Sequence, residues 1–436
     1  MARHTVDGGP VVPRAGRRRP PACRTWAAAV EGLEPRRLLS AALDAAFPLL
    51  ADINAVTESS SPRVWAELNG QVYFTAETPA TGRELYSTDG TAGGTQLVAD
   101  LLPGPNGSDP HDLAVVGSRI VFWAKDAGGV DRVHATDGTG AGTVRLSDTL
   151  AAAADRTIAS SAGRAYFAAS DGAAGLFSTD GVAPPEAVAR AAAVNYPTAF
   201  GGSVLYVSSD AGGRASLRRA DPGAGSTELV PASVVGPLVT TGNQVLFAAG
   251  GDPWRTDGTQ AGTRSVVDLT WTDTSAAVTQ AVTLANGTTL FRAGSDPKSY
   301  VFALAPGGGV TPLWTDSYYT ADHLTAVGGT GYFTSGTSAD GGTLVATDGT
   351  PGGTRVVRAF GYRNGYLPWT PTNLTQLGSQ LVFACGDGTA GGELWVSDGT
   401  AAGTRRLADL DPGTANGNPS GLPEGDGTSA SRPRLF

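Results

Sequence analysis

Apolar residues in this chain come in short bursts. Near the start of its regular part, Val64 to Leu68, Val72 to Ala76, Glu84 to Ser87 and Thr95 to Asp100 each run four to six residues. They are rich in β-branched and aromatic types, and Gly, Asn or Asp closes them, as in Asn69-Gly70. Such runs read as β-strands joined by tight turns. Helical stretches would show apolar positions at a 3.6-residue period over 10–15 residues with few glycines, and none is found. One aromatic recurs in the second run of every group: Phe74, Phe122, Phe167, Tyr206, Phe247, Phe291, Phe333 and Phe383. Successive spacings are 48, 45, 39, 41, 44, 42 and 50 residues. A period of this size, with four strands per unit, predicts an all-β fold: a single β-propeller of eight four-stranded blades, with seven as the alternative. The expected organisation is a basic, disordered leader over 1–46, the propeller over 47–411 and a disordered tail over 412–436.

A second string keeps the same period. Residues 82–95 read GRELYSTDGTAGGT and residues 391–404 read GGELWVSDGTAAGT. Shorter copies centre on Asp137, Asp257 and Asp348, and a truncated one on Asp180. The string falls between the third and fourth strands of its unit. There an Asp can bond backbone N–H groups ahead of it, Gly supplies positive φ, and Thr re-enters extended structure. Asp89, Asp137, Asp180, Asp257, Asp348 and Asp398 are therefore read as structural turn residues. Calcium is the alternative, but one carboxylate per turn falls far short of six to eight oxygen ligands. No cofactor is expected.

The two full copies resemble the ELWxxDGT repeat of bacterial extracellular proteins, with Glu84-Leu85-Tyr86 and Glu393-Leu394-Trp395 opening the motif. The likeness runs over roughly 360 residues, fully in units one and eight and partly in two, five and seven; units four and six keep only the aromatic and the spacing. It implies a propeller-like fold and no particular reaction. Leu33-Glu34-Pro35-Arg36-Arg37-Leu38-Leu39 resembles the LEPR-XLL motif near the N-termini of large exported bacterial proteins, and implies an extracellular or cell-surface location. Residues 50–53, Leu-Ala-Asp-Ile, match the fourth-strand ends at 97–101 and 407–410. An extra terminal strand of this kind can complete a blade and close a ring.

Charge narrows the partners. Net charge is −9, yet residues 1–45 hold eight Arg against four acids, so the remainder carries −13. An acidic body lacks the clustered Lys and Arg that nucleic acid requires. No run reaches the length of a membrane-spanning helix. The cysteines, Cys23 and Cys385, give no disulfide framework. Of the four histidines, none pairs at metal-ligand spacing, and His134 stands where other units carry Tyr86 or Trp395.

The third-to-fourth turns are near copies, while the other connections vary. Loops free of a repeated structural duty are the ones that can carry specific contacts. Trp271, Asp273, Tyr362 and Trp369 are thus the candidate ligand-binding residues, and no catalytic or metal-binding residue is assigned. The sequence reading is a monomeric, exported, non-enzymatic propeller that serves as a binding or structural scaffold for polysaccharide or surface protein. The alternative is a carbohydrate-active enzyme, a glycosidase or lyase, with its site in the central pit. The two differ in one feature. An enzyme should break the repeat there with acids or an Arg, Tyr and His set, whereas a scaffold should keep repeat-like residues.

Overall fold

The computed structural model describes residues 59–231, 233–266, 277–295, 298–316, 321–337, 341–363, 367–387 and 391–408. The chain divides into Met1–Asp52, which lies wholly outside these residues, and Ile53–Phe436, to which everything below refers. The leader, the closing-strand match at 50–53 and the tail also fall outside.

The described residues hold no helix. They form eight antiparallel sheets, over residues 63–99, 111–145, 151–190, 193–230, 234–265, 277–316, 322–368 and 372–408. In each sheet four strands pair in chain order, and the third and seventh sheets gain a two-residue strand. The first strands of consecutive sheets are neighbours from the first sheet to the eighth. An all-β chain of successive four-stranded meanders laid side by side is consistent with a β-propeller.

The recurring aromatic explains the packing. It lies on the second strand of every sheet and is buried in all eight. Seven seams between consecutive sheets carry an apolar core. Between the second and third sheets, Val121, Trp123, Val133 and Leu146 meet Phe167, Ala169 and Phe177, with the Trp123 and Phe167 rings edge to face at 5.1 Å. Trp254 and Trp314 also pack against seam cores. His134 stacks on Phe122 at 5.7 Å, and burial lowers its pKa to about 4, so it serves as a neutral aromatic. Phe74, Ala76 and Tyr86 of the first sheet make a cluster of their own.

The Asp-Gly-Thr turn is a closed set of local bonds. Asp257 Oδ1 accepts the Thr259 backbone N–H at 2.9 Å and its hydroxyl at 2.7 Å. The Thr259 hydroxyl oxygen accepts the Gly262 N–H at 3.0 Å, and Thr263 donates to the Thr259 carbonyl. The same bonds recur around Asp89, Asp137, Asp348 and Asp398. Asp180, in the truncated copy, accepts the N–H groups of Val182 and Ala183 instead. The second glycine has its own cause. A Cβ on Gly262 would lie 2.1 Å from the Asp257 carboxylate, and Gly94, Gly142, Gly353 and Gly403 face their own Asp in the same way.

Candidate functional site

What distinguishes the sheets from one another lies at the leading end of their first strands. Pairing between first and second strands slips between His111 and Ala114, between Asn195 and Thr198, between Asp322 and Thr325, and between Thr372 and Thr375. Each slip leaves two residues unpaired. The first takes positive φ: Asp112 at 53°, Tyr196 at 54°, His323 at 56° and Asn373 at 55°. In the fifth sheet a longer slip holds Gly236 at 79°. The second unpaired residue is apolar, and Leu324 and Leu374, each 1% exposed, anchor their seams.

This arrangement has a physical reading. A bulge re-aims one side chain while the strand continues. Left-handed backbone in a non-glycine residue costs on the order of 1–3 kcal/mol and persists where the surrounding structure enforces it. At His323 and Asn373 the leucine that follows is packed in a seam core. The bulge recurs, with leucine after it in three of the four sheets, but its first residue varies. It holds an acid, a phenol, an imidazole and an amide, all at least partly open to solvent.

Three of these residues make polar contacts. His111 Nδ1 bonds Asp112 Oδ2 at 2.7 Å, and its Nε2 bonds Asp131 Oδ1 at 3.3 Å. Asp131 is buried and pairs with Arg156 of the third sheet's leading connection at 2.9 Å. Burial works to lower the His111 pKa, but the bonds and charges of Asp112 and Asp131 outweigh it and hold it above the ordinary value. The Tyr196 N–H donates to the Asp155 carboxylate. His323 Nδ1 lies 3.3 Å from the Thr334 hydroxyl, and the Leu324 N–H donates to Gln280 Oε1 of the preceding sheet at 3.0 Å.

The residues named from the sequence lie elsewhere. Trp271 and Asp273 fall outside the described residues. Tyr362 pairs with Pro368 in the seventh sheet. Trp369 is half-buried against the seam core of the seventh and eighth sheets, and Gly386 leaves room for its ring, which a Cβ there would approach to 2.4 Å. Tyr362 and Trp369 thus stand near one another, with Trp369 donating its N–H to the Gly361 carbonyl at 3.0 Å. Among the described residues, no group of three or more His, Cys, Asp or Glu is placed to hold a metal. The bulged residues escape sequence reading because their positive φ follows from pairing with the next strand. The strings Asp112-Leu113-Ala114, His323-Leu324-Thr325 and Asn373-Leu374-Thr375 are the local hint.

No family model and no curated protein matches the chain. Among solved structures it is similar to a puromycin hydrolase, at 15% identity and a TM-score of 0.40, over 81% of this chain and 55% of that one. A puromycin-hydrolyzing peptidase of Mycobacterium tuberculosis follows at 13% and 0.40, over 75% of this chain and 58% of that one. Prolyl oligopeptidase B of Galerina marginata matches at 13% and 0.42, over 77% and 55%. The chain spans little more than half the length of each, and the likeness is one of fold alone. The solved chains are described as a hydrolase, a peptidase and an oligopeptidase. The expectation of a non-enzymatic scaffold is corrected accordingly.

Proposed function

We propose that the chain is a carbohydrate-active enzyme, a glycosidase or lyase, whose site is the rim formed by the bulged leading ends of the first strands. One observation carries the reading: the bulge at the leading end of the first strand, held in left-handed backbone in four sheets, presents Asp112, Tyr196, His323 and Asn373 at least partly to solvent. The reading includes a closed eight-bladed ring, which would bring these positions around one opening, and an exported location in keeping with the leader motif.

Acid–base cleavage of a glycosidic bond needs one group to protonate the leaving oxygen and another to act as base or nucleophile. Asp112 is the carboxylate for the second role, with His111 hydrogen-bonded to it. His323 is the candidate proton donor. Tyr196, 37% exposed, offers a ring face for a sugar. The test is release of new reducing ends or unsaturated uronates from a panel of neutral and acidic polysaccharides. Release that Asp112→Asn abolishes supports the reading. No release from any member of the panel refutes it.

A further inference from the structure

A cavity of about 400 Å³ opens between the first and second sheets, within the ~300–1,000 Å³ range of small-molecule sites. Its walls are the turn between the second and third strands of the first sheet and the connection that leads into the second sheet. Glu77, Arg83, Asp109 and Lys125 line it, with Pro79 and Pro105 as its apolar patches.

The walls are fixed from behind. Buried Glu84 accepts the N–H groups of Leu101, Leu102 and Ser108 at 3.3, 3.2 and 2.8 Å, and the Ser108 hydroxyl at 2.6 Å. Gly82 and Gly107 meet backbone to backbone, so closely that a Cβ on either would come within 2.3 Å of the other segment. The Asp109 N–H closes the joint by donating to the Arg83 carbonyl at 3.0 Å. A cavity held in this way needs no ordering when a ligand arrives.

Its charges select the ligand. Arg83 pairs with Glu77 at 2.8 Å, and Lys125 pairs with Asp109 at 2.7 Å. Each cation already has its anion, so an ionic ligand meets no unbalanced partner. The four groups still offer N–H donors and carboxylate lone pairs in alternation. Hydroxyl groups, which donate and accept at once, match that alternation, and the prolines suit the C–H face of a sugar ring. We propose that this cavity binds a neutral sugar unit, as an outlying subsite for a chain whose cleavage point lies at Asp112, three residues beyond Asp109. The proposal rests on the enzymatic reading for its substrate class.

Cellohexaose, maltohexaose and mannohexaose serve as probes in titration calorimetry, with triglycine as a zwitterionic comparison. At least one hexaose is expected to bind. Lys125→Met and Glu77→Gln, each with an unchanged melting temperature, are expected to weaken that binding at least tenfold; if either variant unfolds, the other decides. The subsite is overturned if no hexaose binds, if both folded variants bind as the wild type does, or if triglycine binds and the sugars do not. Binding that follows this pattern without any cleavage would keep the subsite and remove the enzymatic reading alone.

Discussion

Single residues in the repeated turn obey a strict local logic. The first Gly supplies positive φ, at 86° for Gly258, while the second Gly leaves space for the Asp carboxylate. Gly262→Ala would push the Asp257 carboxylate off Thr259, and should cost about 0.5–2 kcal/mol, as loss of a capping carboxylate does. The double variant with Asp257→Ala should be no less stable than Gly262→Ala alone, since the obstacle is then gone. Chemical denaturation of the three variants checks this. His111 gives a pH signature. Its folded pKa is raised, so its contribution is complete below the unfolded value near 6.5 and fades as pH rises through the folded one. The destabilisation caused by His111→Gln should therefore be larger at about pH 5.5 than at about pH 9. Equal losses at both would contradict the network drawn around it. The turn was legible in the sequence because its bonds span seven residues or fewer. The His111 network was not, because Asp131 lies 20 residues away and Arg156 belongs to the next sheet.

Among elements, the connection between sheets is the informative one. Glu84 looks in the sequence like a mere letter of a repeat. In the structure it holds the connection 24 residues downstream, through Ser108. Burial pushes its pKa up, against the pull of the four donors that bind its carboxylate. Glu84→Ala leaves those donors without their acceptor and should destabilise by roughly 1–3 kcal/mol. Amide hydrogen exchange at Leu101, Leu102 and Ser108 should quicken more than elsewhere in the second sheet. Exchange that rises evenly over the whole molecule would mean that Glu84 does not act through this connection. The strands themselves were readable from short apolar bursts and turn residues, to within one or two residues at each end: Val64 to Leu68 is observed as Arg63–Leu68, and Glu84 to Ser87 as Gly82–Thr88. The bulges were hidden because they depend on which residue faces which across a pair.

At the scale of the whole molecule, shared seams make the sheets one cooperative body, since every recurring aromatic but Phe74 is buried in a core shared with a neighbouring sheet. Trp123 is fully buried in the seam of the second and third sheets, and its indole N–H donates to the Arg156 carbonyl at 2.7 Å. Trp123→Ala should cost about 3–5 kcal/mol and shift a single calorimetric transition. Two separated transitions would contradict shared cores. The period of the aromatics told of eight units, but the place of function could not be read from it, because a repeat records what the units have in common. The departures at Asp112, Tyr196, His323 and Asn373 became a set only once the sheets were aligned in space. The most direct test of that set is the rate of glycosidic cleavage on a polysaccharide that the wild type degrades, compared with Asp112→Asn and His323→Ala. Each variant should keep its melting temperature and lose about 10²–10⁴-fold in turnover, the usual worth of a positioned acid or base. Turnover at the wild-type rate in both would contradict the account.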